Sequence, residues 1–491
     1  MKYPKILIII VTWDKEEYVL NLLKSIETLI YEKENLDILL IDNASTDNTV
    51  SRVSKEYPKV KLICNKENLG GTGGFNTGLK WASEQPDGKY DYLWLLDNDV
   101  VVNKHALIEL VDLLEQNKDA AISGSSMMQL DYPWRVNEIG SYYSKDTGSL
   151  IFNFHGMSIE RWKGCPIEEL LNTSNDLSDF IPDFKPYIDV DYVAAASMLV
   201  RADVAKKAGI WNDFFIHFDD VEWCLRIANM GYRVLASCRS LIWHLSSAAK
   251  IPTWVLYYDT RNALSVMKKH GEQVYLIDKA INYELKKAFY YALIGRLELA
   301  NIIVDGVDDF ENGITGKRNI KLPPMLNHLK QHYSESPFMD PKIKKVLIPW
   351  TINMVATGLQ EILVRVAIQR PELEIDFLTA PGGLKIYQFP RANFIEISPR
   401  RFSRYIRYLL LRNKYDMVLQ SEYQRIIGLS LLGGNIMFLS NTEYCIRHSP
   451  TFYDLCLFYL KEVLKRWRLK GIAMKAKEFV TNLILNSNKL K

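Results

Sequence analysis

The chain lacks long apolar runs. None of its 491 residues lies in a stretch approaching the ~18 to 20 apolar residues that a bilayer-spanning helix requires. The apolar segment 6–11 is too short for the core and cleavage site of a secretion signal, and it is typical of a first buried strand. We therefore expect a cytoplasmic protein, at most peripheral at the inner face of the plasma membrane.

Cysteine is scarce, and charge of either sign is nearly balanced. The six cysteines form no Cys-x-x-Cys pair, and a chain of this length needs no disulfides to be stable. The net charge of +3 says little about partners, and we expect no nucleic acid among them. The length predicts two or three domains.

The first hundred residues alternate between strand and helix patterns, which predicts a parallel sheet with helices on both faces. The predicted strands and helices are, in order, 6–11, 15–29, 37–41, 45–55, 60–64, 75–83 and 90–96. Ligands of such sheets bind at the carboxyl ends of the strands. Thr12, Asp42 and Asp97 each follow or end one of these strands.

The remaining chain predicts further structural units. A β-rich insertion over about 125–190 is followed by one strand at 190–200, and strong helical periodicity covers 253–305. A new α/β pattern begins near residue 345. The predicted domains are 1–250, its helical extension 251–321, a linker 322–343 and a second α/β domain 344–491.

The apolar run 92–96 ends on Asp97-Asn98-Asp99. Two like charges beside a buried strand are costly unless a cation neutralises them. Carboxylates at i and i+2 can bind one divalent cation, which can bind a diphosphate. His244 would complete a ligand set for Mn²⁺ or Mg²⁺, of which Mn²⁺ accepts an imidazole better. A solvated turn and a structural histidine are the alternatives.

A glycine-rich loop is predicted at 68–74. Its spacing differs from the dinucleotide fingerprint, since Asn76 stands where a glycine is required, and no Gly-Lys-Ser/Thr follows. The glycines indicate either a tight turn or a backbone that another molecule approaches closely.

Three carboxylates, Asp219, Asp220 and Glu222, lie within four residues beside several aromatics. One of them could cap a helix, but crowded carboxylates raise each other's pKa, which suits a general base. Arg226 is placed to hold Glu222 ionised. Arg261 could bind a phosphate or form an ion pair with Asp259.

These motifs, in this order, resemble those of family 2 glycosyltransferases with the GT-A fold, over roughly residues 4–320. The matching segments are 10–13, 42–47, 68–78, 97–99, 219–220, 243–244 and 261–262. The resemblance implies an α/β fold: a GT-A (Rossmann-like, mostly parallel sheet) catalytic domain, then a helical region and a second, smaller α/β unit.

The resemblance also implies an inverting, metal-dependent reaction. The residues it assigns to nucleotide-sugar binding are Thr12, Asp42, Asn43, Ser45, Asn68, Gly71, Asp97 and Arg261. The metal, Mn²⁺ or Mg²⁺, would be bound by Asp97, Asp99 and His244. Asp220 would take the proton of the acceptor hydroxyl, while Asp219 and Glu222 would orient it or bind the acceptor.

Two departures from the family pattern bear on the substrate. The Asp-Asp pair at 219–220 replaces the commoner Glu-Asp and resembles galactofuranosyltransferases, so the expected donor is UDP-galactofuranose first and dTDP-rhamnose second. The Gln-x-x-Arg-Trp motif is missing, because Val463 stands where its glutamine belongs. This argues against a synthase of the cellulose or hyaluronan type, and the expected acceptor is a lipid-linked cell-surface polysaccharide.

The second α/β unit resembles the first half of a GT-B glycosyltransferase. It is either an accessory acceptor-binding module or part of a longer two-enzyme protein. The basic segment 461–491 predicts either a solvated helix or a helix on the membrane surface. A non-catalytic sugar-nucleotide-binding scaffold and a nucleotidyltransferase are the alternative functions.

Overall fold

The computed structural model describes residues 3–245, 254–271, 274–320, 331–332, 336–349, 359–379, 393–397, 400–421, 429–439, 443–464 and 466–467. Most of the predicted linker and the basic segment beyond residue 467 lie outside these residues. The chain forms two compact units, each described by itself. The first comprises residues 1–250, 258–277 and 309–318, and the second comprises 251–257, 278–308 and 319–491. Residues 278–308, predicted as part of the catalytic domain, therefore belong with the second unit.

The first unit contains a ten-stranded mixed sheet and seven helices that precede residue 230. Its strands are β1 (Ile6–Thr12), β2 (Leu36–Asp42), β3 (Lys61–Cys64), β4 (Tyr92–Asp97), β5 (Val100–Val102), β6 (Ala120–Gln129), β7 (Val136–Glu138), β8 (Ser141–Tyr143), β9 (Leu150–Phe152), β10 (Tyr187–Val190), β11 (Ser197–Arg201) and β12 (Arg233–His244). Its helices are α1 (Glu16–Glu27), α2 (Thr49–Glu56), α3 (Gly70–Ser83), α4 (Ala106–Gln116), α5 (Ile167–Asn172), α6 (Ala202–Ala208) and α7 (Asp219–Asn229). Strands β8 and β9 form a separate pair.

The strand order of the sheet is β10-β12-β6-β11-β4-β1-β2-β3, with β5 beside β12 and β7 beside β6. Strands β1 to β4 are parallel, as predicted, because each is joined to the next by a helix. Strand β11 runs antiparallel to β4, so its amino end lies at the carboxyl end of β4. The single strand predicted at 190–200 is wrong: two strands, β10 and β11, flank a turn there.

Strand β1 is buried on both faces of the sheet. Leu7, Ile9 and Val11 belong to one apolar cluster, whereas the alternating residues Ile6, Ile8 and Ile10 belong to another. Because successive side chains of a strand point to opposite faces, this continuous apolar run requires a cover of helices on each side. The first unit therefore has two cores separated by the sheet.

The second unit holds a seven-stranded sheet. The remaining elements of the chain are α8 (Val255–His270), α9 (Val274–Leu293), α10 (Leu297–Glu311), β13 (Gln331–His332), α11 (Ser336–Met339), β14 (Lys345–Pro349), α12 (Leu359–Gln369), β15 (Glu374–Thr379), β16 (Asn393–Glu396), α13 (Arg401–Leu410), β17 (Met417–Ser421), β18 (Asn435–Leu439), β19 (Glu443–His448) and α14 (Phe452–Phe458). The sheet order is β13-β19-β18-β17-β14-β15-β16, and the five strands from β18 to β16 are parallel. The predicted α/β class, with helices and a smaller second sheet after the first, is confirmed. None of the helices within the described ranges has the length and apolar content needed to cross a bilayer.

Candidate active site

The carboxyl ends of β2, β1 and β4 place three predicted site residues side by side. Thr12 pairs with Asp42 across β1 and β2, and Val11 pairs with Asp97 across β1 and β4. Asn98 Nδ2 donates a hydrogen bond of 2.9 Å to Thr12 Oγ1, which ties the Asp-x-Asp turn to the end of β1. The structure thus brings the predicted nucleotide and metal residues to one edge of the sheet.

Asp42 carries a buried oxygen that suits a ligand donor. Its side chain is almost completely buried, and Oδ2 accepts a hydrogen bond from the backbone N–H of Ser45 at 3.0 Å. Oδ1 is buried and has no hydrogen-bond partner within the described part of the chain. An unsatisfied buried carboxylate oxygen is costly, so a donor group from a bound molecule would stabilise it.

Three other predicted nucleotide residues hold neighbouring loops together. Asn43 donates from Nδ2 to the carbonyl of Gly70 at 2.8 Å and is buried. Ser45 Oγ accepts from the backbone N–H of Asp14 at 3.0 Å. Asn68 Oδ1 accepts from the backbone N–H of Gly70 at 2.8 Å. These contacts position the loops after β1, β2 and β3 around the edge of the sheet.

The predicted glycine-rich loop is wrong, because helix α3 already begins at Gly70. A Cβ atom at Gly74 would lie 2.3 Å from Val11, and one at Gly78 would lie 2.4 Å from Ile9. These glycines let the helix pack directly on β1, which offsets the poor helix propensity of glycine. Gly71 differs, because a Cβ there would meet no atom within 4 Å among the described residues.

The three predicted metal ligands lie together. His244 ends β12 opposite Val100 of β5, and its Nε2 is 3.0 Å from Oδ1 of Asp99. One ligand atom each of Asp97, Asp99 and His244 lies within 4.8 Å of the others. Two carboxylates at the end of β4 and in the turn after it, and an imidazole at the end of β12, form a donor set that fits Mn²⁺ or Mg²⁺.

The adjacent carboxylates Asp219 and Asp220 occupy the first turn of α7. Asp219 Oδ2 accepts a hydrogen bond of 2.5 Å from the hydroxyl of Thr72. Asp220 accepts from the backbone N–H groups of Ala195, at 3.2 Å, and Val221, at 2.7 Å. Ala195 shortly precedes β11, whose first residue pairs with the residue before Asp97. Asp220 is therefore held at the same sheet edge as the metal ligands.

Burial, and then the charge of Asp219, raise the pKa of Asp220 to about 7. Burial also raises the pKa of Asp219, although the Thr72 hydroxyl favours its charged form. A carboxyl with a pKa near the working pH suits a general base, because it is both available and sufficiently basic.

The backbone before α7 is strained. Phe215, His217 and Phe218 all have positive φ values, between 63° and 69°, which aromatic side chains rarely adopt. Asn262 Nδ2 donates to the carbonyls of Ile216 and His217 at 2.8 and 3.0 Å and helps to fix this conformation. Three such residues thus lie within the four residues that directly precede the two carboxylates.

Arg261 supports the same segment from α8. Its buried guanidinium donates to the carbonyl of Phe214 at 2.9 Å and to that of Gly316 at 2.8 Å. Asp259 instead accepts from His217 Nδ1 at 2.7 Å. Arg261 thus contacts backbone carbonyls of the loop, and its contact with a phosphate stays a prediction.

Glu222 is not placed to contact an acceptor, because it is completely buried. It binds Arg226 and Lys269 at 2.7 Å each and His270 at 3.1 Å. Burial alone would raise the pKa of Glu222, but hydrogen bonds from His270 and Lys269 and the charge of Arg226 lower it to about 2. Glu222 therefore anchors α7 to the end of α8.

Thr72 is the site residue that the sequence interpretation missed. It is the one hydroxyl within the glycine-rich segment, and it is fully buried against Asp219. The sequence offers one signal for it: a threonine inside a glycine-rich segment indicates that its side chain makes a specific contact.

The mostly parallel sheet is that of the predicted GT-A (Rossmann-like) fold, and the Asp/Asp/His cluster and the neighbouring carboxylate pair lie at the carboxyl end of its strand β4. Comparison with known proteins gives the family. Residues 7–165 match the profile of Glycosyl transferase family 2. The chain therefore carries a family 2 glycosyltransferase domain.

Two curated relatives are galactofuranosyltransferases named GlfT2. The protein of Mycobacterium tuberculosis is 24% identical over 220 residues, covering 43% of this chain and 32% of the relative. That of Mycolicibacterium smegmatis is 22% identical, covering 60% of this chain and 47% of the relative. The chain thus spans between a third and a half of the length of these relatives.

Among solved structures, that of a mannosyltransferase from Pyrobaculum calidifontis in complex with GDP-Man and Mn²⁺ is similar to this protein. The similar region covers 62% of this chain and 76% of the mannosyltransferase chain. The identity is 13% and the TM-score is 0.36.

Proposed function

We propose that this protein is an inverting, metal-dependent glycosyltransferase that moves a sugar from a nucleotide-sugar donor to a hydroxyl group of a glycan. One observation carries the proposal. Three side chains that could bind a metal ion, and a half-buried carboxyl whose pKa is raised to about 7, lie at the same edge of one sheet. Transfer with inversion requires a base for the acceptor hydroxyl and charge neutralisation at the leaving group.

The chain's own residues have distinct roles in this proposal. Asp42, with its buried oxygen, binds the nucleoside together with Thr12. Mn²⁺ or Mg²⁺ held by Asp97, Asp99 and His244 would neutralise the charge that develops on the departing diphosphate.

Asp220 accepts the proton of the attacking hydroxyl. Asp219, fixed by Thr72, keeps the base in place and raises its pKa. This use of two neighbouring carboxyls in different environments is a common way to obtain a base at neutral pH.

The proposed donor is UDP-galactofuranose, with dTDP-rhamnose second. The Asp-Asp pair and the names of the two GlfT2 relatives support this order. The proposed acceptor is a lipid-linked cell-surface polysaccharide at the cytoplasmic face of the membrane. We further propose that residues 344–491 are an accessory acceptor-binding module or belong to a second enzyme.

The test is a panel of nucleotide sugars, incubated with acceptor glycans, with Mn²⁺ or with EDTA. Release of a nucleoside diphosphate supports the proposal, whereas pyrophosphate release identifies a nucleotidyltransferase, and binding without turnover identifies a scaffold.

The Asp99→Ala variant should be inactive, and adding metal should not restore its activity. The Asp220→Asn variant should transfer sugar about 10²- to 10⁴-fold more slowly than the wild type and should still bind nucleotide. Asp203→Asn, on the exposed surface, is the control and should keep wild-type transfer.

A further inference from the structure

The segment 313–318, which follows α10, packs against the chain that leads into α7, and both belong to the first unit. The backbone N–H of Gly316 donates to the carbonyl of Asp213 at 2.8 Å, and its carbonyl accepts from Arg261 at 2.8 Å. Gly316 has a φ of +72°, and a Cβ there would lie 2.6 Å from Oδ2 of Asp213. The path of the segment at this point therefore requires a glycine.

Lys317, the next residue, contacts two loops of the candidate active site. Its Nζ donates a hydrogen bond of 2.9 Å to the backbone carbonyl of Asn68, across 249 residues of chain. The same ammonium group lies 5.7 Å from the ring centroid of Phe215. Asn68 follows β3 and is predicted to bind the nucleotide, whereas Phe215 belongs to residues 214–218, the base loop, which precedes α7. One cationic group thus connects the two loops.

Phe215 is the residue of the base loop on which these contacts converge. Its φ of 69° is one that an aromatic residue adopts only where the surrounding contacts impose it. Its carbonyl accepts from the backbone N–H of Thr72 at 3.2 Å, and its ring stacks on that of Tyr258 with centroids 5.1 Å apart. The hydroxyl of Tyr258 in turn accepts from the backbone N–H of Arg318 at 2.8 Å. Helix α3, helix α8 and the segment 313–318 therefore hold Phe215 together.

We propose that Lys317 is a positioning residue of the active site, which holds the base loop against the loop predicted to bind the nucleotide. Lys317 acts through Phe215, because Phe215 is bonded to Thr72 and the hydroxyl of Thr72 binds Asp219, the neighbour of Asp220. A shift of Phe215 therefore moves the proposed base relative to the donor. The effect on transfer rests on the proposed function, whereas the contact between the loops does not.

The test is Lys317→Met in the full chain, because methionine keeps the apolar stem of the side chain and removes the ammonium group. With the donor that the panel identifies, kcat should fall by about threefold to tenfold, the range expected for one exposed cationic contact. The Kd of the matching nucleoside diphosphate should be unchanged, because the side chain of Asn68 stays bonded to Gly70. Lys317→Arg keeps the cation and should transfer as the wild type does.

Hydrogen exchange at the backbone amide of Thr72 measures the same contact without any substrate. Because this N–H donates to the carbonyl of Phe215, its exchange should become about threefold to tenfold faster in Lys317→Met. Tyr258→Phe keeps the stacked ring but loses the hydroxyl that binds Arg318, and it should change the exchange in the same direction. Circular dichroism melts check that each variant is folded.

Lys59→Met is the matched control, since Lys59 is exposed and precedes β3, at the end opposite to Asn68. It should keep the wild-type kcat and the wild-type exchange of Thr72. Unchanged kcat and unchanged exchange in Lys317→Met would overturn the proposal. Weaker nucleotide binding at unchanged kcat would instead make Lys317 a donor-binding residue. If the wild type transferred no sugar while Lys317→Met still exchanged faster, the proposed function alone would be refuted.

Discussion

At the scale of single residues, the site depends on two sequence neighbours with different surroundings. Asp219 accepts a hydroxyl hydrogen bond from Thr72, which favours its charged form. Asp220 accepts only weaker backbone donors and lies beside the charge of Asp219, so its pKa rises to about 7. Environment rather than residue type therefore distinguishes Asp219 from the proposed base Asp220.

The pH dependence of transfer should follow this pair. Because the base must be deprotonated, the rate should fall below pH 7 by about tenfold per pH unit. Asp219→Asn removes the like charge, so the acid limb of the kcat profile should move to lower pH. Rate profiles of the wild type, Asp219→Asn and the control Asp203→Asn provide the measurement. An acid limb that stays in place in Asp219→Asn would assign the raised pKa to burial alone.

The sequence predicted the acidic residues of the site but not the residues that hold them. Asp97, Asp99 and the 219–220 pair were found because charge beside apolar runs needs an explanation. Thr72 and Asn98 act through contacts across 147 and 86 residues of chain, which no local pattern encodes. Arg261 was recognised as notable, but its carbonyl partners belong to loops that only the fold brings near it.

At the scale of elements, the start of α3 packs against the loop that precedes α7 and the proposed base Asp220. Gly70 has a φ of +73°, and a Cβ there would lie 2.0 Å from the carbonyl oxygen of Phe215. The neighbouring Gly71 has open space at the same position. Packing against Phe215 therefore requires a glycine at position 70, whereas nothing among the described residues requires one at position 71.

Gly70→Ala should destabilise the protein more than Gly71→Ala. The first change adds a positive-φ cost of about 1 kcal/mol and a clash that must displace Phe215. The second gains helix propensity and meets no obstacle among the described residues. Urea unfolding of both variants measures the difference. Equal midpoints would show that the contact between α3 and the base loop is not tight in solution.

The contacts of Glu222 with the end of α8 should contribute to the free energy of unfolding. Glu222→Gln leaves Arg226 and Lys269 without their buried counter-charge, so the expected loss is about 3 to 5 kcal/mol of unfolding free energy. The pKa of Glu222 is lowered from 4.5 to about 2, so its contribution is fully present above about pH 4.5 and is lost as the pH falls toward 2.

Unfolding curves at neutral and acid pH measure this difference, which should shrink at the lower pH. Glu160→Gln is the control, because that exposed pair with Lys163 should contribute at most about 1 kcal/mol. If Glu222→Gln were as mild as Glu160→Gln, the cluster would be a solvated ion pair rather than a buried anchor.

At the scale of the whole molecule, the fold class followed from the sequence, but the division into units did not. Alternating strands and helices predict parallel pairing wherever a single crossover joins neighbours. The helical residues 278–308 look continuous with the catalytic part along the chain, yet they belong to the second unit. Asp308 binds Arg466, 158 residues further along the chain, and Phe289 packs against Tyr459. Contacts at such separations leave no periodic signal in the sequence.

The membership of 278–308 in the second unit can be measured through Arg466. Its guanidinium makes two hydrogen bonds of 2.6 Å to Asp308 and one of 2.7 Å to Glu462, with 18% of the side chain exposed. Paired charge-assisted hydrogen bonds of this kind contribute about 1.5 to 3 kcal/mol each when little solvent screens them. Arg466→Ala should therefore lower the unfolding free energy by at least about 2 kcal/mol.

Arg161→Ala is the matched control for that change. Arg161 also pairs with an aspartate, Asp179, at 2.5 Å, but about half of each side chain is exposed. Solvent screening should hold its loss to at most about 1 kcal/mol. Thermal and urea unfolding of the two variants gives the comparison. Equal losses would mean that residues 278–308 are stabilised independently of Arg466, and the chain would then divide closer to residue 321, where the sequence pattern changes.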